Sequence, residues 1–367
     1  MRNIVCFHLF NDYSGSPKVL KTVIEGLLKQ GHEIDLVTSR GGVLDELKGM
    51  KGVCFKQYNY AFARNKLLRL LRYAWVQLHT FFTALGYIFK RDTVVYINTI
   101  LPIGAAIGGR LAGKRVVYHY HENAKAKGIS YRILARLMQV VASEIICVSH
   151  YQRSFLRRKK GVVVIPNALQ EEFAASIVPF CAEKSFSQQR VLMLGSLKQY
   201  KGTREFIELA TRMKQFSFEL VLNDTCDNIE AYIKNNTIAL PKNLTILPRQ
   251  QKVAPFYNRA SLVLNLTNKQ SAIETFGLTA LEAMTAGLPV IVPTVGGIAE
   301  MVDDGVNGYK IDVQDIDKIK ERVEYILTNK DFYISLAKNS REYSKKYGVT
   351  HLINDIRRVL CANSTND

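Results

Sequence analysis

The sequence lacks the long apolar runs that mark a membrane-spanning helix. Residues 73–89 contain no Asp, Glu, Lys or Arg, but the stretch is 17 residues long and includes Gln77 and His79. A spanning helix needs about 20 predominantly apolar residues, so we interpret this stretch as a buried or interfacial helix. The apolar run at the start of the chain turns polar by Asn11, which is too early for a secretory signal. We therefore expect a cytoplasmic protein.

The six cysteines lack the spacing of a metal or redox site. None belongs to a C-x-x-C pair, which argues against zinc and thioredoxin-type chemistry. Each is interpreted as a small buried apolar residue. Asp303 and Asp304 are adjacent, but Gly305 follows them at once, and that pattern is typical of a turn. We predict no metal and no other cofactor.

Acidic residues are scarce in the first half of the chain. The formal net charge is +18, and residues 1–170 hold 26 Lys and Arg against 9 Asp and Glu. This imbalance favours an anionic partner for that half, either nucleic acid or an anionic membrane. Zinc-finger spacing, RNP strings and basic zippers are all missing, so we predict no binding of nucleic acid.

Between Leu47 and Arg91 there is no acid at all, and basic residues alternate with apolar and aromatic ones. The apolar members of this segment are Phe62, Leu67, Leu68, Leu70, Leu71, Tyr73 and Trp75. A second basic group is predicted on a helix before Val162: Arg153, Arg157, Arg158, Lys159 and Lys160. Basic residues mixed with Leu and Trp suit the bilayer interface, so we predict peripheral membrane binding that high salt reverses. A core helix with a solvated basic edge is the alternative.

Short apolar runs alternate with helical patterns along the whole chain. Residues 4–10 and 33–38 are predicted strands, and the helix between them begins at Pro17 with Ser16 as its cap. Strand–helix–strand is the unit of a parallel sheet, and the rhythm restarts at Val191. This predicts two doubly wound α/β domains that share one cleft. The predicted segments are an N-terminal domain at 1–172, a linker at 173–189, a C-terminal domain at 190–345 and a helix within 346–367. Packing of this last helix back on the first domain is one of the options that its sequence leaves open.

The most informative stretch of sequence runs from Glu274 to Glu300. Glu274 precedes a helix that is predicted to begin near Gly277, and the first N–H groups of such a helix form an anion site. Gly277 lets a ligand approach the backbone closely. Glu282 lies on the same helix, and acceptor-only carboxylates beside an anion site suit the hydroxyls of a sugar. For either Glu alone, a capping acid or a solvated helix acid is the alternative.

The string from Glu274 to Glu282 resembles the E-x7-E signature of retaining glycosyltransferases of family 4. The resemblance implies the GT-B fold, in which two Rossmann-like domains face a central cleft. It extends over nearly the whole chain. The further matching segments are residues 11–17 to the N-terminal glycine loop, 116–122 to the strand that carries a histidine, 148–149 and 164–167 to turns at the end of the first domain, and 192–195 with Lys201 and Gly202 to the phosphate loop.

The resemblance also implies roles for single residues. Glu274 matches the acid that contacts the donor sugar, Glu282 the acid on the ribose, and Lys201 the diphosphate ligand. His121 matches the histidine near the transferred sugar, and His119 is a weaker candidate on the same side of the strand. Glu274 and His121 are thus the catalytic candidates. The donor-binding candidates are Gly15, Ser16, Gly195, Lys201, Arg249, Phe276, Gly277, Leu278, Thr279 and Glu282.

Two positions leave alternatives open. Glu122 has the offset of an acceptor-binding acid, or it caps the following turn. The family often has Arg directly after the phosphate-loop glycine, but this chain has Ser196 there, and Lys198 or Arg249 are the candidates to supply the charge.

The activity that the resemblance implies is transfer of a hexosyl group from a nucleoside diphosphate sugar to a hydroxyl, with retention of configuration and without a metal. The acceptor is expected to be a saccharide carried on a polyprenyl diphosphate, in the synthesis of lipopolysaccharide, capsule or exopolysaccharide. The enzyme would then sit peripherally on the inner face of the cytoplasmic membrane. The alternatives are a nucleotide-sugar epimerase on the same fold, a basic nucleic-acid-binding protein, and a binding module without activity.

Overall fold

The computed structural model describes residues 3–61 and 65–362, which form two compact α/β units. The first unit runs to Gln170 and resumes at Val349, and the second runs from Glu171 to Gly348. Phe62 and Arg64, which belong to the basic and apolar segment of the sequence, lie outside the described residues.

Parallel strands form the sheet of the first unit. They are β1 (Asn3–Phe7), β2 (Glu33–Ser39), β3 (Val53–Tyr58), β4 (Thr93–Asn98), β5 (Arg115–Tyr120), β6 (Glu144–Cys147) and β7 (Val162–Val164). Their order across the sheet is β3-β2-β1-β4-β5-β6-β7, so the direction of winding reverses between β1 and β4. Every residue of β4 is buried, as expected for a strand covered on both faces.

The helices of this unit are α1 (Gly15–Lys29), α2 (Lys66–Leu85), α3 (Ile103–Leu111), α4 (Ile129–Val141) and α5 (His150–Ser154). Crossovers between parallel strands are right-handed, so α1 covers one face of the sheet, and α2, α3 and α4 cover the other. A short 3₁₀ turn, Val43–Leu47, joins β2 to β3. The first helix begins at Gly15 with Ser14 as its N-cap, two residues before the predicted start at Pro17.

A second parallel sheet organises the other unit. Its strands are β8 (Arg190–Gly195), β9 (Ser217–Leu222), β10 (Leu244–Leu247), β11 (Leu262–Leu264), β12 (Val290–Val292) and β13 (Gly308–Lys310), in the order β10-β9-β8-β11-β12-β13. Its helices are α6 (Glu171–Ser176), α7 (Ala182–Ser187), α8 (Thr203–Arg212), α9 (Cys226–Asn235), α10 (Ala254–Tyr257), α11 (Leu278–Thr285), α12 (Ile316–Thr328) and α13 (Lys330–Ser344). Short 3₁₀ turns occupy Gln199–Lys201, Gly297–Met301 and Lys345–Tyr347. Winding reverses between β8 and β11. The prediction of two doubly wound α/β domains is confirmed.

The segment predicted as a linker, 173–189, is part of the second unit instead. It contains most of α6 and all of α7, and aromatic side chains attach it to the rest of the unit. Phe173 packs edge-on against Tyr257 with ring centroids 5.7 Å apart, and Phe186 contacts Tyr333 at 5.3 Å. The sequence prediction missed this because the aromatic anchors show no helical or strand period.

The final helix, α14 (Val349–Cys361), packs against α1 of the first unit. Gly26 makes room for it, because a Cβ at that position would lie 2.4 Å from Cγ1 of Ile353. The guanidinium of Arg115 donates to the carbonyls of Val359 at 2.8 Å and Ala362 at 2.6 Å. These bonds satisfy carbonyl groups that a helix leaves unpaired at its C-terminus.

Two details of the sequence analysis, the burial of all the cysteines and a single basic helix before Val162, are corrected by the structure. Cys54, Cys181 and Cys226 are exposed, so they are not core residues, whereas Cys6 and Cys147 are buried. The basic group before Val162 does not form one helix, because α5 ends at Ser154. Among the described residues, no helix is both long enough and apolar enough to cross a membrane.

Arg158, in that basic group, serves the fold and is not available to a partner. Its guanidinium donates to the carbonyls of Gln139 at 3.1 Å, Ala142 at 2.6 Å and Ser143 at 2.5 Å, around the C-terminus of α4. A cation at this end of a helix is favoured by the helix dipole and by the unpaired carbonyls.

Helices α2 and α3 approach each other closely because α3 carries two glycines four residues apart. A Cβ on Gly104 would lie 2.1 Å from the carbonyl oxygen of Gln77, and a Cβ on Gly108 would lie 2.3 Å from that of Phe81. Gln77 also accepts the N–H of Gly104 through its side chain, at 2.8 Å. The backbones are therefore in direct contact, and no side chain fits between them.

We predict that Gly108→Ala lowers the free energy of unfolding by about 1–3 kcal/mol, because the two helices must separate. Intrinsic helix propensity alone would instead stabilise the variant by about 1 kcal/mol, so the sign of the effect tests the contact. Gly86→Ala is the matched control, since a Cβ there would be no closer than 3.4 Å to its nearest neighbour. Urea unfolding of both variants measures the difference, and an unchanged or more stable Gly108→Ala protein would refute the close approach.

Candidate active site

In the second unit, the candidate residues gather where the sheet reverses its winding. Lys201 lies in the loop after β8, and Glu274 lies in the loop after β11, the strand next to β8. Ligands of open parallel sheets bind at the carboxyl ends of the strands at this switch point. The topology therefore brings together two residues that are 73 positions apart in the sequence.

Glu274 is held by three groups in this loop region. Its Oε1 accepts a very short hydrogen bond from Nζ of Lys201 and a bond of 3.0 Å from the hydroxyl of Thr267. Its carbonyl oxygen accepts the N–H of Gly297 at 2.9 Å. Gly296 cannot be replaced easily here, because its φ is 111° and a Cβ would lie 2.4 Å from the Glu274 carbonyl oxygen. The Gly296–Gly297 turn thus fixes the backbone of the acid.

The electrostatics of this pair keep Glu274 ionised. Burial alone would raise the pKa of Glu274, but the charge and hydrogen bond of Lys201, together with the Thr267 hydroxyl, hold its pKa below the ordinary value. About a fifth of the side chain stays open to solvent, with 22 % of its surface exposed. The site therefore presents a fixed carboxylate beside a fixed ammonium group, ready for a polar and anionic ligand.

Glycines shape the backbone on both sides of the pair. Gly202 has a φ of 76° and caps α8, and a Cβ there would lie 2.3 Å from the backbone oxygen of Leu266. Gly277 has a φ of 96° and caps α11, where a Cβ would collide with Ile298. The first N–H groups of α11, at Leu278 and Thr279, have no acceptor within their own helix. These are the N–H groups for which the sequence predicts an anion site.

Glu282 and Tyr257 form a second polar pair on the inner side of α11. The phenol of Tyr257 donates to Oε2 of Glu282 at 2.5 Å, and burial together with this carboxylate raises the pKa of Tyr257 far above its ordinary value. Tyr257 therefore remains a donor and fixes the orientation of the carboxylate. The sequence analysis did not single out Tyr257, because a lone tyrosine on the short helix α10 has no distinguishing pattern.

Several predicted donor residues are placed differently. Arg249 is exposed and donates through Nε to Asn223 at 2.7 Å, at the ends of β10 and β9, which lie three and two strands away from β11. Lys198 lies 6.0 Å above the ring of Tyr200. Neither cation contacts Glu274. Gly195 ends β8 beside open space, since the nearest atom to a Cβ there would be 3.7 Å away.

The side chain of Phe276 points into the core of the second unit. It is 4 % exposed and packs edge-on against Tyr347, with ring centroids 5.7 Å apart. A ligand of this loop would therefore meet the backbone of Phe276 and not its ring.

In the first unit, a polar cluster lies at the corresponding switch point between β1 and β4. His8 follows β1, Asn98 ends β4, and His121 follows β5. The amide nitrogen of Asn98 is 3.0 Å from Nδ1 of His8 and 3.1 Å from the carbonyl oxygen of Ser16, and its Oδ1 is 2.8 Å from Nε2 of His121. One asparagine therefore links both histidines to the start of α1.

The hydrogen-bond partners determine the protonation of both rings. Nε2 of His8 is 2.9 Å from the carbonyl oxygen of Phe10, which can only accept, so this nitrogen carries the proton. Nδ1 of His8 must then accept from the Asn98 amide, which leaves the Asn98 oxygen to accept from Nε2 of His121. The same logic places a proton on Nε2 of His121, the nitrogen that faces the Asn98 oxygen.

His119 is the deepest member of the cluster. It is fully buried, its Nδ1 is 2.6 Å from the hydroxyl of Tyr96, and its ring centroid is 4.1 Å from that of His121. Burial lowers the pKa of His119 to about 3 and that of His8 to about 4. Burial and the neighbouring imidazoles also lower the pKa of His121. All three rings are neutral at physiological pH.

Glu122 is buried beneath this cluster. Its Oε2 accepts the N–H of Ile100 at 3.2 Å and that of His121 at 3.3 Å, and burial raises the pKa of the carboxyl. Its carbonyl oxygen accepts from Gln152 at 3.1 Å. These bonds tie the loops after β4 and β5 together. The sequence leaves two roles open for Glu122, acceptor binding and capping of the turn. These bonds fit the role of a residue that caps and fixes the turn.

Sequence analysis missed His8, Asn98 and Thr267 as site residues. Each stands at the end of a strand whose neighbours become known only with the strand order. The backbone next to Asn98 does carry a local indication of a functional site, because Thr99 has a φ of 77°. A β-branched residue in that conformation indicates strain of the kind found near functional sites.

The adjacent acids Asp303 and Asp304 form a turn. The carboxylate of Asp304 accepts the N–H of Lys310 at 2.6 Å, and that of Asp303 accepts the hydroxyl of Tyr343 at 2.7 Å. Within residues 3–61 and 65–362, no group of three or more His, Cys, Asp or Glu side chains is arranged to hold a metal ion.

Two family models match the chain, one for each unit. Residues 13–173 match the model of Glycosyltransferase Family 4, and residues 182–347 match that of Glycosyl transferases group 1. The chain belongs to glycosyltransferase family 4, which confirms the resemblance that its motifs carry, and it is a glycosyltransferase. The roles of Glu274, Glu282 and the other site residues stay predictions.

Relatives of known sequence and structure extend over almost the whole chain. An uncharacterised glycosyltransferase of Haemophilus influenzae is 20 % identical over 357 residues, which are 94 % of this chain and 96 % of the relative. HepE of Anabaena, in complex with UDP and glucose, has a TM-score of 0.79 at 19 % identity and covers 98 % of this chain and 99 % of its own.

WaaG, a glycosyltransferase involved in lipopolysaccharide biosynthesis, has a TM-score of 0.71 at 18 % identity and covers 98 % of this chain and 100 % of its own. At such identities the solved structures establish the fold, which is GT-B.

The depressed pKa values of the histidines predict a loss of stability in acid. Below about pH 6.5 the histidines bind protons in the unfolded chain but stay neutral in the folded protein. The free energy of unfolding therefore falls as the pH falls. For His119 alone the cost at pH 5 is about 2 kcal/mol. The His119→Gln variant keeps a polar partner for Tyr96. Between pH 7.5 and pH 5 its free energy of unfolding should fall by about 2 kcal/mol less than that of the wild type.

Urea unfolding at both pH values measures this difference. The raised pKa of Glu122 acts in the opposite direction but is common to both proteins, so it cancels in the comparison. Equal losses in the two proteins would mean that His119 is protonated in the folded state.

Proposed function

We propose that this chain is a retaining hexosyltransferase that moves a sugar from a nucleoside diphosphate donor to a hydroxyl of a lipid-linked saccharide. The observation that carries the proposal is the Lys201–Glu274 pair beside the N-terminus of α11, at the switch point of the second sheet. It combines a cation and free backbone donors for a diphosphate with a carboxylate for sugar hydroxyls.

Charge develops on the donor during the reaction, and the pair is suited to that change. As the bond from the anomeric carbon to the diphosphate breaks, negative charge grows on the leaving oxygen and positive charge on the sugar ring. Lys201 and the first N–H groups of α11 stabilise the leaving diphosphate through preorganised dipoles and charge. Glu274 orients the sugar through its hydroxyls, and Tyr257 holds Glu282 in position to accept from the ribose.

His121 and Glu122 are the first unit's contribution to the proposal. Asn98 holds the ring of His121 through Nε2, and burial and the neighbouring imidazoles lower its pKa. Such a ring orients a sugar hydroxyl and takes no charge of its own. Glu122 acts by fixing the loop that carries His121, which refines the acceptor-binding role predicted from its sequence position.

Comparisons with solved structures support a nucleotide-sugar donor and leave its base open. HepE has been crystallised with UDP, with UDP and glucose, and with UDP-glucose. WaaG is involved in lipopolysaccharide biosynthesis, which supports an acceptor in surface polysaccharide assembly. We further propose that the enzyme works without a metal or other cofactor and sits peripherally on the inner face of the cytoplasmic membrane. Lys201 and the α11 N-terminus take the place of a metal ion at the diphosphate.

A thermal-shift screen against UDP-, GDP-, ADP- and TDP-sugars tests the donor class. A ligand at about 100 times its dissociation constant adds about 2.7 kcal/mol of stability. Transfer to a lipid-linked acceptor, assayed with EDTA, then tests the reaction and its metal independence together. Conversion of the donor into its epimer without transfer would establish the rival epimerase.

Substitutions of Lys201 and of Glu274 are expected to have different effects on nucleotide binding and on sugar transfer. Lys201→Met should weaken binding of the nucleoside diphosphate by about 10–100-fold, because a charge-assisted bond is lost. Glu274→Gln should bind the nucleoside diphosphate at least as well as the wild type, since a negative charge is removed, but should lose transfer by about 100-fold or more. Calorimetric titration and a transfer assay measure the two effects.

Glu219→Gln provides the matched control for these variants. Glu219, in β9 of the same sheet, pairs with Arg259, and its side chain is more deeply buried, 7 % exposed against 22 % for Glu274. We expect this control to keep both nucleotide binding and transfer. Parallel losses of binding and transfer in Lys201→Met and Glu274→Gln would contradict the division of roles.

Retention of configuration has its own test. The glycosidic linkage of the product should keep the anomeric configuration of the donor, as the resemblance to retaining glycosyltransferases implies. NMR coupling constants of the anomeric proton in donor and product decide this. An inverted product would exclude a retaining mechanism.

A further inference from the structure

Helix α2 carries its apolar residues on the wrong side for a core helix. Its buried residues are Val76, Thr80 and Ala84, two of which are small or polar. Its long apolar residues are 52–65 % exposed instead: Leu67, Leu70, Leu71, Trp75, Leu78 and Phe82. They recur every three or four residues and so form one continuous stripe along the helix.

The glycines of α3 explain why the buried side of α2 is so poor in large residues. Direct backbone contact at Gly104 and Gly108 leaves no room for long side chains between the helices. The large apolar residues of α2 are consequently not needed for the core. A sequence selected only for folding would carry polar residues on that outer side.

Helix α4 repeats the arrangement. Its buried residues are Ala135 and Met138, whereas its exposed apolar residues again recur at helical spacing. These are Ile129, Ile133, Leu137 and Val140, which are 40–78 % exposed. Between α4 and α2 lies α3, which packs against both and exposes Leu111. We call the exposed apolar side chains of α2, α3 and α4 together the apolar plate.

The charge around the apolar plate is strongly positive. Helices α2, α3 and α4 contain six Lys and Arg and no Asp or Glu; the basic residues are Lys66, Arg69, Arg72, Arg110, Arg132 and Arg136. Arg110, Arg132 and Arg136 are exposed on α3 and α4 themselves. The surface thus combines apolar side chains with basic ones, and monomeric soluble proteins rarely expose so large an apolar area without a partner.

We propose that the apolar plate inserts into the headgroup and acyl boundary of an anionic lipid bilayer, with the surrounding basic residues on the lipid phosphates. This deepens the proposed function, on which it rests, since a lipid-linked acceptor lies in such a bilayer. Charge decides between lipid and a second copy of the chain, because two copies facing each other would oppose the same basic residues. Anionic lipid complements both the apolar and the basic residues.

Insertion alters the expected response to salt. Contacts between basic residues and lipid phosphates are screened at high ionic strength, as the sequence analysis anticipates, but burial of apolar side chains is not. We therefore expect binding to phosphatidylglycerol-containing vesicles to weaken between about 0.1 M and about 1 M NaCl without being abolished.

The chain has a single tryptophan, and it lies on the plate. Trp75 is half exposed and stacks on His79 with ring centroids 5.3 Å apart. Its fluorescence reports insertion at this position alone. Titration with vesicles of phosphatidylglycerol and phosphatidylcholine should shift the emission to the blue, and brominated lipids should quench it. Binding with unchanged emission would overturn the proposal.

A triple variant, Leu71→Gln with Leu78→Gln and Phe82→Gln, removes apolar surface without touching the core. It should keep its fold by circular dichroism and reduce vesicle partitioning by about tenfold or more. The control changes three apolar residues of the second unit that are 37–46 % exposed, Val178, Leu240 and Val306, to Gln and should bind like the wild type. Equal binding by wild type and the α2 variant would refute the plate.

Two further measurements distinguish membrane insertion from dimerisation and from the proposed transfer activity. If the wild type forms dimers that the α2 variant loses, and neither binds vesicles, the plate is an interface between copies and the proposal is wrong. Nucleotide binding by the second unit should be the same in wild type and in the α2 variant. Vesicle insertion without any transfer activity would refute the proposed function but would support insertion of the apolar plate.

Discussion

Both units depend on one constraint: parallel strands can be joined only by crossovers that run over the faces of their sheet. The crossovers bury the strands on both sides and bring all carboxyl ends to one edge. Loops that are distant in the sequence meet at that edge, as those carrying Lys201 and Glu274 do after β8 and β11. The same constraint stacks α2, α3 and α4 on one face of the first sheet, and it thereby creates a broad helical surface as well as a site.

Within that frame, the polar residues at the strand ends are arranged by the cost of burial. A buried charge or imidazole needs a partner, and several of these groups have a specific one. Lys201 neutralises Glu274, Tyr257 orients Glu282, and Asn98 divides its amide between neighbouring groups. Fixed partners keep Glu274 ionised, and burial keeps the histidines neutral, so the site is organised before any ligand arrives.

Much of this could be predicted from the sequence, because the alternation of apolar runs with helical patterns is local. It gave two doubly wound domains, and the Glu274 string gave the family. Local patterns do not predict the order of the strands in the sheet. The sequence therefore did not indicate that His8 and His121 belong to one cluster. Residues 173–189 were misassigned because isolated aromatic anchors have no period. The outward stripe of α2 was equally invisible, since a helical period does not tell which side faces the core.

The last helix has a consequence for how the protein is made. Helix α14 completes the first unit, where Ile353 fills the space at Gly26 and Arg115 holds its final carbonyls. Its residues leave the ribosome only after the entire second unit has been synthesised. Domains generally fold in order from the N-terminus during synthesis. Here, however, the first unit must wait with an open apolar groove along α1, so chaperones that bind nascent chains have a defined target during that interval.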